Sequence, residues 1–217
     1  MKLSSPESLL LASVVVALVP LLIAVGTCYL KFSIILTLLK SGFGTQQAPS
    51  SSMVMALSLV MSLVVMQPVL ERTAQRVKDV RVGALTAQPL SVIISEATVV
   101  LEPWRSFLEK HCGERERAVF REIVGRGDGT AVATPQGESF SIVLAAFVLS
   151  EIKRAFVAGF FLLVPFFVID LIVSNILVGM GLTMLSPVVV SLPLKIILFI
   201  STDGWLLLAD GLVRSYG

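Results

Sequence analysis

The chain has 217 residues, of which 55% are hydrophobic and only 15% charged, and its net charge is +2. A soluble domain averages about a quarter charged residues, so this composition excludes an ordinary soluble protein and points to an integral membrane protein or a very apolar complex subunit. The small net charge, with no basic run interleaved with aromatics, excludes nucleic acid as the partner.

The first apolar block covers residues 9–39, broken by Pro20 and Gly26 and crossed by Lys31. Its opening run is too long for the h-region of a signal peptide and no small-x-small site ends it, so it reads as retained. A short loop follows at residues 41–52, holding Gly42, Gly44 and Pro49 and flanked by Lys31 and Lys40. The positive-inside tendency places that loop in the cytoplasm and both chain ends on the other side. The second apolar block is 53–70.

A polar insert covers residues 71–138 and holds ten acidic and ten basic side chains, so it is neutral overall. A helical pattern starts at Leu101 with Pro103 in its first turn and runs on to Val124. Gly125-Arg126-Gly127-Asp128-Gly129 is expected to break it. The insert reads as a small helical domain outside the membrane. Cys28 and Cys112 lie in segments of different character, and His111 is the single histidine. No disulfide framework and no metal site are implied.

The third block begins near Phe140, pauses at Glu151-Ile152-Lys153-Arg154, and continues to Met180; the fourth covers 188–208. Blocks of about 20 apolar residues can cross a bilayer, and in lipid a helix is the structure that satisfies its own backbone. The expected fold is therefore an all-α membrane protein of kinked helical hairpins with a small extramembrane domain. The division expected is an N-terminal hairpin at 1–70, a polar domain at 71–139 and a C-terminal hairpin at 140–217.

Residues 160–205 carry the features that bear on function. Asp170, Asn175, Lys195 and Asp203 interrupt an otherwise apolar stretch, and residues 179–187 are a dense breaker segment. Ionised groups at bilayer depth usually face a protein interior or a watery path. Irregular backbone at that depth is buried in protein or lines a cavity. Both point to an assembly around a conduit.

Asp170 and Asp203 also match the carboxylate pair of an intramembrane aspartyl protease. The competing reading is structural, with Lys195 as a partner for Asp203 eight positions on. Ala155, Ala158 and Gly159, and again Gly179 and Gly181, form small-residue clusters that let helices approach, within the chain or between subunits. The segment with Leu182, Thr183, Met184 and Leu185 is either a plain helix–helix turn or, repeated around an axis, a hydrophobic gate.

Several ordered motifs resemble one family. They are Tyr29-Leu30-Lys31-Phe32-Ser33-Ile34, Gly44-Thr45-Gln46-Gln47-Ala48-Pro49, Ser150-Glu151-Ile152-Lys153-Arg154-Ala155-Phe156, Pro165-Phe166-Phe167-Val168-Ile169-Asp170-Leu171, Ser186-Pro187, Leu192-Pro193-Leu194-Lys195 and Asp203-Gly204-Trp205. The chain is similar there to the SctR/FliP export-gate subunits of type III secretion systems and flagella, over nearly its whole length except the polar insert. Its short length and uncleaved N-terminus look more like the virulence-type member than the flagellar counterpart.

The resemblance implies a non-enzymatic subunit without cofactors, multi-pass in the bacterial inner membrane. It implies a homopentamer that joins SctS/FliQ-type and SctT/FliR-type subunits in a conical helical pore complex extending into the periplasm. Other export-apparatus, inner-rod and needle proteins would be neighbours, and unfolded secreted proteins the cargo. Family members narrow the pore with a methionine run after Met-Gly. The matching positions here are Met180, Leu182, Thr183, Met184 and Leu185, with fewer methionines. Lys31, Glu151, Asp170, Lys195 and Asp203 are expected to be structural charges.

Overall fold

The computed structural model describes residues 13, 17, 24–44, 49–79, 90–128, 138–182 and 184–217, and among them every regular element is an α-helix. Most of the first half of the 9–39 block, part of the Gly44–Pro49 motif, and Thr183 lie outside the described residues. The chain is an all-α membrane protein.

Helix α1 is Tyr29–Phe43. Phe32, Ile35, Leu36, Leu39 and Phe43 are buried along one stripe at helical spacing, which fixes the face it presents to the protein. Gly44 ends it with φ 76°, and its N–H donates to the Ser41 carbonyl at 3.0 Å. Only glycine takes that left-handed position cheaply. Helix α2 is Ser51–Asp79. The Ser50 hydroxyl accepts the Met53 N–H at 3.2 Å and the Ser50 carbonyl accepts the Val54 N–H, an N-cap that satisfies a first-turn donor.

Helix α3 is Leu90–His111 and α4 is Glu114–Asp128. These bounds correct three expectations. The helix starts at Leu90 instead of Leu101, so Pro103 is internal. Proline cannot donate to the carbonyl four residues back, which is that of Val99. That carbonyl accepts instead from the Arg76 guanidinium at 2.7 Å, so the break in the ladder is repaired by a side chain. The helical run is interrupted at Gly113, where a Cβ would meet Glu116 and the Ser150 hydroxyl. Gly125 to Asp128 stay helical, since isolated glycines cost a helix only about 1 kcal/mol each.

Helix α5 is Phe140–Gly179, a single helix of 40 residues with Pro165 inside. The pause at Glu151–Arg154 is a change of composition and not of backbone, because Glu, Lys and Arg are good helix formers. Helix α6 is Pro187–Ser201 and α7 is Gly204–Arg214, bent from each other by 61°. Helices α2 and α5 are each long and apolar enough to cross a membrane, and the bent α6–α7 pair is a third candidate.

Contacts divide the chain into two units, Met1–Cys28 with Met66–Ser150, and Tyr29–Val65 with Glu151–Gly217. In the first, Phe107 and Leu108 of α3 and Val143, Ala146 and Phe147 of α5 are buried, with the Phe107 and Phe147 rings 6.0 Å apart. The Glu138 carboxylate pairs with Arg117 at 3.0 Å and Arg121 at 2.7 Å, and its carbonyl accepts from Arg105. The second unit packs α1 on α5 and on the α6–α7 bend. Its centre is an aromatic cluster of Phe43, Phe166, Phe199 and Trp205. Gly159 of α5 is buried under Leu38 and Ala155 is fully buried, so these two small residues serve packing within the chain; Ala158 is exposed. Gly179 and Gly181 have no neighbour within 4 Å of a Cβ position.

Candidate functional site

The turn between α5 and α6 follows from its glycine and proline. Gly181 has φ 74°, its N–H donates to the Val178 carbonyl at 3.0 Å, and the Leu182 N–H donates to the Leu177 carbonyl at 2.9 Å. This pair of bonds is a Schellman motif, which ends the helix and satisfies carbonyls otherwise left open. Ser186 is extended and Pro187 opens α6, with Val189 N–H donating to the Ser186 carbonyl at 3.2 Å. The turn holds its side chains outward: Met184 is 97% exposed, Met180 67%, Leu185 50% and Leu182 40%. Thr183 lies outside the described residues.

Behind the turn the hairpin is pinned by a polar cluster. Asp170 on α5 accepts from the Ser191 hydroxyl at 2.5 Å and from the Lys195 ammonium at 2.7 Å. Lys195 is buried and also donates to the Gly42 carbonyl at 2.9 Å, in the last turn of α1. A helix C-terminus carries open carbonyls and partial negative charge, so a cation is favoured there. One ammonium thus joins three helices. The partner expected for Lys195 was Asp203; the hairpin brings Asp170 to it instead. Asp203 is exposed at the α6–α7 bend in a left-handed conformation, φ 49°, and its side chain caps nothing. Asp170 and Asp203 therefore stand in different surroundings within this chain.

A second cluster ties α1 to the N-terminal third of α5. Glu151 is fully buried and accepts from Arg154 at 3.2 Å and from the Tyr216 hydroxyl. Lys31 is buried, donates to the Ser215 hydroxyl at 2.7 Å, and stands 4.3 Å over the Tyr216 ring. Sequence reasoning marked both charges but missed Ser215 and Tyr216. The only signal was a tyrosine beside an apolar helix, which has no spacing rule.

Comparison with known proteins decides what carries this geometry. The FliP family matches residues 11–212. The chain is 36% identical to the Yop proteins translocation protein R of Yersinia pestis, over 97% of this chain and 96% of that protein. It is 35% identical to the surface presentation of antigens protein SpaP of Shigella flexneri, over 92% and 91%. It is 35% identical to the hypersensitivity response secretion protein HrcR of Ralstonia nicotianae, over 96% of each. The chain belongs to the FliP family. It is an export-apparatus subunit of type III secretion, and its apolar helices make it a membrane member of that apparatus. In this FliP-family chain the candidate site is the turn between α5 and α6, where Met180, Leu182, Met184 and Leu185 are exposed; the Lys195–Asp170 cluster joins α5, α6 and α1, and the Lys31–Tyr216–Glu151 cluster joins α1 to α5.

Proposed function

We propose that this subunit lines the entry pore of the export gate, as one of five copies joined by SctS/FliQ-type and SctT/FliR-type subunits, and passes unfolded proteins without catalysing a reaction. The subunit would sit in the bacterial inner membrane, in a complex adjoined by other export-apparatus, inner-rod and needle proteins. The carrying observation is the α5–α6 turn. Met184 is 97% exposed among the described residues, as expected of a side chain that closes an axis together with its copies.

The length of α5 supports the same reading. At 1.5 Å per residue its 40 residues reach about 60 Å, twice the hydrocarbon core of a bilayer. Part of it would then stand beyond the lipid, in a complex that extends into the periplasm. The secretion names of the relatives favour a virulence-type apparatus over the flagellar counterpart. The protease reading has no support in the cluster, because Asp170 is held by Ser191 and Lys195 and Asp203 lies at a separate bend.

The test is extraction of the full-length protein from its native host in mild detergent, followed by native mass spectrometry. The expected species contains several copies of this chain and two kinds of smaller hydrophobic partner. A clean monomer under conditions that preserve other inner-membrane complexes would overturn the proposal.

A further inference from the structure

The turn after α7 puts two side chains where two buried charges need them. Lys31 on α1 is 5% exposed and Glu151 on α5 is 0% exposed. An ammonium and a carboxylate so far from water are costly unless each is paired and hydrogen-bonded. Ser215 accepts a hydrogen bond from Lys31 at 2.7 Å, and Tyr216 meets both charges. Its ring face lies 4.3 Å from the Lys31 ammonium, where the negative face of the ring attracts a cation. Its hydroxyl donates to Glu151 Oε2, while Arg154 donates to Oε1. Tyr216 is 7% exposed and its ring is edge-on to Phe32 at 5.8 Å, so it is packed in place.

We propose that Tyr216 is a positioning residue that straps α1 to α5 by bridging Lys31 and Glu151, so that the packing of α1 on α5 is complete only when the segment after α7 is docked. The strap works through charge: removing it takes the ring face from the Lys31 ammonium and the hydroxyl donor from the Glu151 carboxylate, leaving each buried charge less well satisfied. A side chain that only filled space would leave a cavity and no such penalty. The inference does not depend on the export reading, since it is read on the isolated protein.

Four variants of the full chain, purified in the same detergent, separate the two roles by thermal melting. Tyr216→Phe keeps the ring over Lys31 and loses the bond to Glu151; it melts lower than the parent. Tyr216→Ala loses both and melts lower still. Lys31→Met with Glu151→Gln, added to Tyr216→Ala, removes the two under-satisfied charges and recovers a large part of the loss. The same neutral pair in the parent background gives no such gain. Should Tyr216→Ala be too unstable to purify, recovery of the triple variant in good yield supports the strap equally. A triple variant that melts at or below Tyr216→Ala, or a Tyr216→Ala protein that melts like the parent, would overturn it.

Discussion

Asp170 and Lys195, twenty-five positions apart, meet at 2.7 Å across the α5–α6 hairpin, and the same ammonium reaches the Gly42 carbonyl at 2.9 Å. Lys195 is 1% exposed, while the Asp170 side chain keeps 31% of its surface open. Breaking a buried pair from one side costs about 3–5 kcal/mol, because the remaining charge is left without a partner. Asp170→Ala should fall near the lower end, about 3 kcal/mol, since water can partly reach the vacated site. Lys195→Met with Asp170→Asn should cost much less than Asp170→Ala alone. Chemical or thermal unfolding in detergent checks both, and equal losses for the two would refute the pair as the hairpin's pin.

The α6–α7 bend makes an opposite pair of predictions. Asp203 sits at φ 49°, where an L-residue is strained by about 1–2 kcal/mol and glycine is not. Asp203→Gly should therefore keep or raise the stability of the isolated chain by up to about 1 kcal/mol. Gly204→Ala should lower it, because a Cβ there would overlap the Phe199 ring. That ring is held by Phe43, Phe166 and Trp205, so overpacking should cost about 1–3 kcal/mol. Melting temperatures of the two variants should move in opposite directions, and a shared drop would mean the bend tolerates no change of either kind.

The helices were legible because long apolar blocks dictate them, and the α5–α6 turn because Gly181 and Pro187 frame it. What the sequence hid has physical causes. Pro103 read as a first turn because a proline inside a helix needs an outside donor, and Arg76 supplies it from another element. The Glu151–Arg154 pause read as an interruption because composition changes there while helix propensity does not. Lys195 read as a partner of Asp203 because spacing along one helix is visible, whereas the fold of the hairpin that brings up Asp170 is not. Tyr216 was invisible because its role exists only once α1 and α5 are adjacent.

Cys112 offers a pH-dependent probe outside the candidate spans. Burial pushes its thiol up from the ordinary cysteine value, against the pull of Arg117, and its Sγ donates to the Glu109 carbonyl at 3.3 Å. The thiolate is the reactive form, so a raised pKa leaves less of it at any given pH below that value. Alkylation of Cys112 should be slower than that of a free thiol at mildly alkaline pH, and should still be rising where the free thiol has levelled off. Peptide mapping by mass spectrometry separates it from buried Cys28. A labelling rate that tracks the free thiol across the range would contradict the burial of this turn.

The last prediction concerns the seal. Met184 is 97% exposed and Leu182 40%, in a turn whose backbone is fixed by Gly181 and the hydrogen bonds of Leu182 and Val189. Truncating these side chains removes little packing within the chain, so Met184→Ala with Leu182→Ala should leave folding and subunit assembly unchanged. If the turns of several copies face one axis, the same change widens the resting pore, because a hydrophobic constriction excludes water only while it stays narrow. Cells that carry the whole apparatus should then leak small ions or dye across the inner membrane in the double variant. The control is Val178→Ala, a 65% exposed residue one turn back on α5, which should leave leakage at the parent level. A correctly assembled double variant that leaks no more than this control would place the seal on another segment or on a partner subunit.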